Sequence, residues 1–271
     1  MTIDQLDQAT FAREWGEWHE EHERSLSNPH GFLAVTGLHW LTGEPTRFDD
    51  APGEWVTSDD GVRVVLARDE SLFVEGVSVS GVHDFGVIDE TKSAMAAFDD
   101  AVVEVAKRGG RDVIRPRHPD HELVRNYRGT PTFSPDLTWR VPGRFVAFDS
   151  PRSVAVDAAI EGLQHVYEAP GYVEFERLGT TQRLTVFAES DGNFDVLFRD
   201  ATSGVTTYGA TRALTIEAPD LKGRVIIDFN RATNLPCAYT DFATCPLPPV
   251  ENRLTIAVEA GEKIPYERLT T

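Results

Sequence analysis

Cysteine is nearly absent from this chain: among 271 residues only Cys237 and Cys245 carry thiols. Two cysteines do not make the disulfide framework of a small secreted scaffold, and no Asn-x-Ser/Thr acceptor is present, so the expected setting is a reducing, cytoplasmic one. Positive charge is also short. The 26 Lys and Arg face 44 Asp and Glu, a formal net charge of −18, and the basic residues are nearly all Arg. Nucleic acid and anionic membrane surfaces attract surplus Lys and Arg, so neither is an expected partner. No apolar run approaches the roughly 18 residues of a membrane span. The opening segment, Met1 to Trp15, has no basic region followed by an apolar stretch, as a signal peptide would. Walker and Rossmann glycine-rich loops and a Gly-x-Ser-x-Gly elbow are missing too, which argues against nucleotide-dependent enzymes on those folds and against α/β hydrolases.

The hydrophobic and charged fractions, 41% and 26%, are those of a folded globular chain long enough to bury a sizeable core. Phe11, Trp15, Trp18, His22 and Leu26 recur at helical spacing, which predicts an amphipathic helix ending at Asn28-Pro29, with its aromatic stripe against a sheet. His19-Glu-Glu-His22 on this helix has its histidines three apart rather than four, so it is not a zinc-peptidase motif. After Gly31 short apolar runs alternate with Gly, Pro, Asp and Ser, the punctuation of antiparallel strands. The runs include Phe32 to Leu41, Val62 to Ala67, Ser71 to Glu75, Trp139 to Phe148, Tyr172 to Arg177 and Thr255 to Val258. A hairpin joins Val102 to Ala106 with Asp112 to Arg115 across Gly109-Gly110. The expected fold is mainly β: antiparallel sandwich or barrel modules with an N-terminal helix. Three parts are expected: the helix at 1–30, a β module at 31–117, and a β domain at 118–271 after the Pro- and Arg-rich stretch His118 to Pro135. The run Gly61 to Gly81 resembles the strand pairs of a forkhead-associated sandwich, without that family's phosphothreonine-reading residues.

The richest chemistry lies in the stretch Asp228 to Leu254, DFNRATNLPCAYTDFATCPLPPVENRL, where Pro236, Pro246, Pro248 and Pro249 stiffen an irregular loop behind the strand RVIIDF. Asp228, Asn230, Asn234 and Cys237 on such a loop are candidates to converge on a ligand, with Asp228 as acid or base and Cys237 as nucleophile. The same residue types also cap turns and fill cores. The eight-residue spacing of the cysteines fits no zinc template. A nucleophilic Cys237 needs a partner such as His39 or His165, and the remaining reading is a loop-closing disulfide or, favoured inside a cell, two buried thiols. Lys107 to Arg128 is locally basic, and Arg115 and Arg117 at alternate positions share one face of a strand, so they are candidates to grip an anion. Tyr208 and Arg212 are expected four apart on the return strand of a hairpin turning at Asp200 to Gly204. Glu259, Glu262 and Lys263 are possible acid and base groups, and read more simply as a solvated turn with a surface ion pair.

The Asp228 to Leu254 stretch, with GLHWL at Gly37 to Leu41, FRDATSGVTTYGATRAL at Phe198 to Leu214 and AVEAGEK at Ala257 to Lys263, resembles the domain of unknown function family 1684. Family members usually read Asn-Pro-Pro-Cys where this chain has Asn234-Leu235-Pro236-Cys237. The resemblance implies no activity or cofactor. The leading expectation is therefore a small, anionic ligand in a pocket bordered by the Asp228 to Cys245 loop and Arg115 or Arg117, with Tyr208, Arg212, Asn230 and Asn234 contributing. Any chemistry there would be hydrolysis or group transfer without metal or organic cofactor. The competing expectation is a non-enzymatic interaction module or a homo-oligomeric structural protein.

Overall fold

The computed structural model describes residues 7–90 and 92–269. Helix α1, Gln8–Leu26, begins where the Asp7 carboxylate accepts the amides of Ala9 at 2.9 Å and Thr10 at 3.0 Å, which satisfies two donors that the helix leaves open. The aromatic stripe is present, with Phe11 and Trp15 buried and Trp18 and His22 half-buried. The helix stops two residues before Asn28-Pro29, because a residue preceding proline is pushed out of the α region.

The chain divides into two compact units. One comprises the residues up to Arg24, Arg128–Tyr239 and Thr244–Arg268; the other comprises Ser25–Tyr127, Thr240–Ala243 and the residues from Leu269. All strand pairs in both are antiparallel.

The unit built on Ser25–Tyr127 holds strands β1 (His39–Trp40), β2 (Thr46–Phe48), β3 (Ala51–Ser58), β4 (Gly61–Val65), β5 (Leu72–Val74), β6 (Val77–Val79), β7 (Val82–Gly86), β8 (Ser93–Phe98), β9 (Ala101–Arg108) and β10 (Arg111–Arg117), followed by the short helix α2 (Glu122–Asn126). They form a six-stranded sheet in the order β1-β10-β9-β8-β5-β6 and a four-stranded sheet in the order β2-β3-β4-β7. Trp55, Val62 and Val64 of the smaller sheet share one core with Val103, Val105 and Ile114 of the larger, which is a sandwich packing. Gly109 and Gly110 both take positive φ, 56° and 75°, and make the two-residue hairpin expected between β9 and β10. The expected strand from Phe32 to Leu41 is reduced to His39–Trp40. Turn bonds from Gly31 to Asn28 and from Ala34 to Gly31 commit its first part to a 3₁₀ turn instead.

The other unit holds β11 (Arg140–Asp157), β12 (Gln164–Arg177), β13 (Thr180–Ala188), β14 (Phe194–Phe198), β15 (Arg212–Ile216), β16 (Arg224–Asp228) and β17 (Thr233–Asn234) in one sheet, ordered β16-β11-β12-β13-β14-β15-β17. Its two edge strands are consecutive in sequence, separated only by residues 229–232. Such a link reaches roughly 17 Å at most, whereas seven flat strands would set the edges roughly 29 Å apart. The sheet is therefore strongly curled, although no sheet closes into a barrel among the described residues. Phe229, in the link itself, fills the curl: it is fully buried against Trp139, Phe175 and Phe198 at ring distances of 6.0, 5.5 and 5.7 Å. Truncating such a side chain to Ala costs about 3–5 kcal/mol. Gly171 sits where β11 bulges, and a Cβ there would lie 2.2 Å from the Val146 carbonyl oxygen.

The strand expected at Thr255 to Val258 does not form, although Leu254, Val258 and Ala260 are buried in the core. Its carbonyls find another donor. The guanidinium of Arg212, only 1% exposed, donates to the carbonyl oxygens of Val258 (3.2 Å), Ala260 (2.5 Å) and Glu262 (3.4 Å) and pairs with Asp200 at 2.7 Å. Upstream, the Asn252 side chain bonds the Thr185 amide and carbonyl and the Leu197 carbonyl, bridging β13 and β14 where they are not paired. Side chains thus supplement the short run of backbone bonds that this segment makes with Arg199 and Ala201, just past β14. The return strand expected at Thr206 to Tyr208 is likewise absent, since Thr207 is drawn back into a turn by bonds to Thr202 and Gly204.

Candidate functional site

In the seven-stranded unit, helix α1 is tied by hydrogen bonds to loops. The Trp15 indole donates to the Asn230 carbonyl at 2.8 Å, and the Gln8 side chain bonds both the Pro135 carbonyl (2.7 Å) and the Leu137 amide (3.0 Å). One turn beyond Trp18 on the helix, His22 Nε2 lies 2.9 Å from Oε1 of Glu262, a carboxylate only 2% exposed. Glu262 Oε2 accepts the Asn234 amide at 2.5 Å. Gly261 makes this geometry possible: its φ is +76°, and a Cβ would lie 2.5 Å from the Ala232 carbonyl oxygen, so a side chain would strain the turn that presents Glu262.

A buried carboxylate beside a half-exposed imidazole is an acid–base arrangement. Burial disfavours the charged imidazole, but the hydrogen bond and charge of Glu262, helped by the charge of Glu23, outweigh it and raise His22 above its ordinary range. With Nε2–H donated to Glu262, Nδ1 is the atom left to exchange protons. The Tyr239 hydroxyl, 2.7 Å from Thr130 Oγ1, stays protonated because burial and the Glu262 charge push its ionisation far up.

Around this pair lie further charged and aromatic groups. The His22 ring stacks on Trp18 at 5.5 Å, and the Arg231 guanidinium lies over the same indole at 5.4 Å. Arg231, on the link between β16 and β17, is 43% exposed at its side chain, and the Asp228 carboxylate lies 3.9 Å from its Nε, beyond a charge-assisted hydrogen bond. Burial raises the Asp228 carboxyl, against the opposing bonds from Asn230 and the charges of Arg231 and Arg140.

The residues singled out in the sequence fall into several places. Asp228 and Asn234 adjoin this centre through Arg231 and Glu262. Asn230 ties its own backbone region down, bonding the Asp136 amide at 2.8 Å and the Asp136 carbonyl at 3.0 Å. Arg212 faces Asn234 in the β15–β17 register, with its donors directed to the protein groups already described. Tyr208 lies in a loop, not on the strand with Arg212, and its hydroxyl donates to the Cys237 carbonyl at 2.7 Å. Cys237 and Cys245 are both buried and are not joined in a disulfide. Arg115 and Arg117 belong to the other unit, where both guanidiniums grip Glu104, Arg115 through Nε at 3.0 Å and Nη2 at 2.7 Å. His22, Arg231 and Trp18 were not read as site residues, and Glu262, a possible acid or base group expected on a solvated turn, is instead buried. The available signal was a histidine on a helix face otherwise built for burial, since a titratable group there needs a partner. On the β12–β13 face, Glu174, Gln182, Arg183 and Arg253 line an open polar depression of about 500 Å³, in which Arg183 already pairs with Glu174 at 2.7 Å. Among the described residues no group of three or more His, Cys, Asp or Glu is arranged to hold a metal ion, and no helix is long and apolar enough to cross a membrane.

Residues 125–263 match the family described as "Protein of unknown function (DUF1684)". The chain belongs to the DUF1684 family. An uncharacterized protein of Haloarcula marismortui, solved in solution by NMR, is 32% identical, with 52% of this chain and 80% of that one covered and a TM-score of 0.44. No curated protein matches. The DUF1684 span contains Asp228, Arg231, Asn234 and Glu262, whereas Trp18 and His22, on helix α1, and the GLHWL segment at Gly37 to Leu41 all lie ahead of it.

Proposed function

We propose that the seven-stranded unit binds a small organic anion beside Trp18 and Arg231, and that His22, oriented by Glu262, exchanges a proton with it. Hydrolysis or group transfer, in the cytoplasm and without an organic cofactor, is the reaction class that such a pair serves. The observation that carries the reading is the His22–Glu262 contact of 2.9 Å with an exposed guanidinium over the adjoining indole. The imidazole supplies a titratable group near neutral pH, the carboxylate fixes its tautomer, and Arg231 supplies a half-exposed positive charge held only loosely by Asp228 at 3.9 Å. The anion-binding arginine of this proposal is thus Arg231 rather than Arg115 or Arg117.

A ligand preferring the folded state raises its apparent stability, by about 2.7 kcal/mol at a hundredfold excess over Kd. A thermal-shift screen with inorganic phosphate, phosphorylated metabolites, organic acids and divalent metals should find an anion that raises Tm, and Arg231→Ala and His22→Ala should each abolish the shift. Equal shifts in the wild type and Arg231→Ala would count against the proposal.

A second reading rests on a different surface. Strand β7 is an outer strand of the four-stranded sheet, and on it Val82, 60% exposed, stands opposite Val65, 40% exposed. An open strand edge with apolar side chains can add a strand from a second copy of the chain. Light scattering over rising concentration tests it, with Val82→Lys expected to keep the chain monomeric.

A further inference from the structure

The two cysteines of this chain meet. Cys237 is held in the 3₁₀ turn Pro236–Ala238, closed by bonds from Ala238 to Leu235 and from Tyr239 to Pro236. Cys245 is held from the other side, where its carbonyl accepts the Ala159 amide at 2.8 Å and the next residue, Pro246, bridges to Ala158, just past the end of β11. Between them the Cys237 amide donates to Cys245 Sγ at 3.1 Å. Adding the N–Cα bond, that sulfur is no more than about 4.6 Å from the Cys237 Cα, within the reach of a disulfide.

The surroundings favour a reactive sulfur at Cys237. The hydrogen bond from Cys245 works against burial, and together with the Tyr208 hydroxyl and the Arg268 charge it holds the Cys237 thiol below its usual range. Tyr208 and Arg268 also both donate to the Cys237 carbonyl. Exposures of 3% and 6% exclude bulky oxidants and leave small ones as the reagent class.

We propose that Cys237 and Cys245 form a dithiol that hydrogen peroxide converts to an intramolecular disulfide, a modification site independent of the His22 reading. The Cys237 sulfur attacks one peroxide oxygen, the O–O bond breaks, and one water leaves, giving a sulfenic acid. The Cys245 sulfur then attacks the Cys237 sulfur, the S–O bond breaks, and the departing hydroxide takes the Cys245 proton as a second water. Two thiols lose two electrons and one peroxide becomes two waters.

The test uses the reduced full chain, treated with stoichiometric hydrogen peroxide, then denatured, alkylated and weighed intact. Expected is the loss of two hydrogen atoms in mass and of both alkylation sites, each restored by dithiothreitol, with a Cys237–Cys245 cross-linked peptide in the digest. Two cysteines that remain alkylatable, or oxygen added to either sulfur without a cross-link, would overturn the proposal. In Cys245→Ser the sulfenic acid should accumulate on Cys237 and be trapped when the chain is denatured in dimedone, and an untrapped, unoxidised Cys237 would contradict the order of attack. Should that variant fail to fold, the wild-type masses decide alone.

Discussion

Glu104 and Glu262 are equally hidden from water, 3% and 2% exposed, yet they are compensated in opposite ways. Glu104 lies among three guanidiniums: Arg115 in a forked contact, Arg117 through Nη2, and Arg108 at 3.4 Å. Burial alone would raise its carboxyl, but the charges and hydrogen bonds of Arg115 and Arg117 prevail and hold it low. The Glu262 carboxylate is hydrogen-bonded to one imidazole and one backbone amide, and the one guanidinium that acts on it, Arg212, does so only through its charge while its donors go to Asp200 and to main-chain carbonyls. Guanidiniums keep their charge at every pH a protein survives, whereas an imidazole changes charge near neutrality. One buried carboxylate is therefore a permanent fixture, and the other is tied to a proton that can leave. Proton chemistry is expected at the second.

The largest effect should come from breaking the permanent cluster. Glu104→Gln leaves guanidiniums facing one another without their counter-charge and should destabilise by about 3–5 kcal/mol, equally at about pH 6 and about pH 9, in urea denaturation. A loss that varies strongly between those pH values would blur the comparison. Glu262→Gln should remove about 1–3 kcal/mol, and more where His22 is charged than where it is neutral. The sign follows from His22 being raised in the folded state: its contribution is full below the unfolded value of about 6.5 and is lost as pH rises through the higher folded value. Wild-type stability should thus fall across that window, and the variant should be flatter. His22→Gln should show the same flattening with a smaller loss, about 0.5–1.5 kcal/mol, since Gln can still donate to Glu262. Asp228→Asn should change least, under about 1 kcal/mol. Because burial raises this carboxyl, ionisation costs stability above the folded value, and that cost disappears as pH falls toward the unfolded value of about 3.9. The variant should lose this acid-side rise, seen as a flatter Tm profile.

Much of the fold could be read locally. The stripe from Phe11 to Leu26 and the Gly109-Gly110 hairpin are set by spacing and by backbone permission, and both appear as expected. Strands β3 and β8 were missed because Pro52-Gly53 and the alanines of Ser93–Phe98 carry weak strand preference, and pairing across the sheets outweighs it. Thr255 to Val258 failed in the other direction, since its alternation marks burial, but its carbonyls go to the Ala201 amide at Ile256 and to the Arg212 guanidinium at Val258 rather than into a regular ladder. At the sites, Arg115 and Arg117 do share a face, and the two-residue turn at Gly109-Gly110 already fixes Glu104 as the residue opposite Arg115. That pairing was legible and shows where the positive charge goes. His22 and Glu262 were not legible together, being 240 residues apart and joined only through the curl of the sheet and the turn at Gly261. The stiff stretch from Asp228 holds Asn234 as named in the sequence and Arg231, which was not singled out there; both lie in or beside a short link between opposite edges of a curled sheet, which has little freedom in where it places side chains.

The most direct test is an NMR titration of the His22 ring in wild type and Glu262→Gln, each with and without the anion that gives the strongest thermal shift, inorganic phosphate serving if none is stronger. The account predicts a His22 pKa above about 6.5 in the wild type, a further rise when the anion binds, and neither feature in Glu262→Gln. A His22 that titrates at or below the ordinary value and ignores every anion would contradict it.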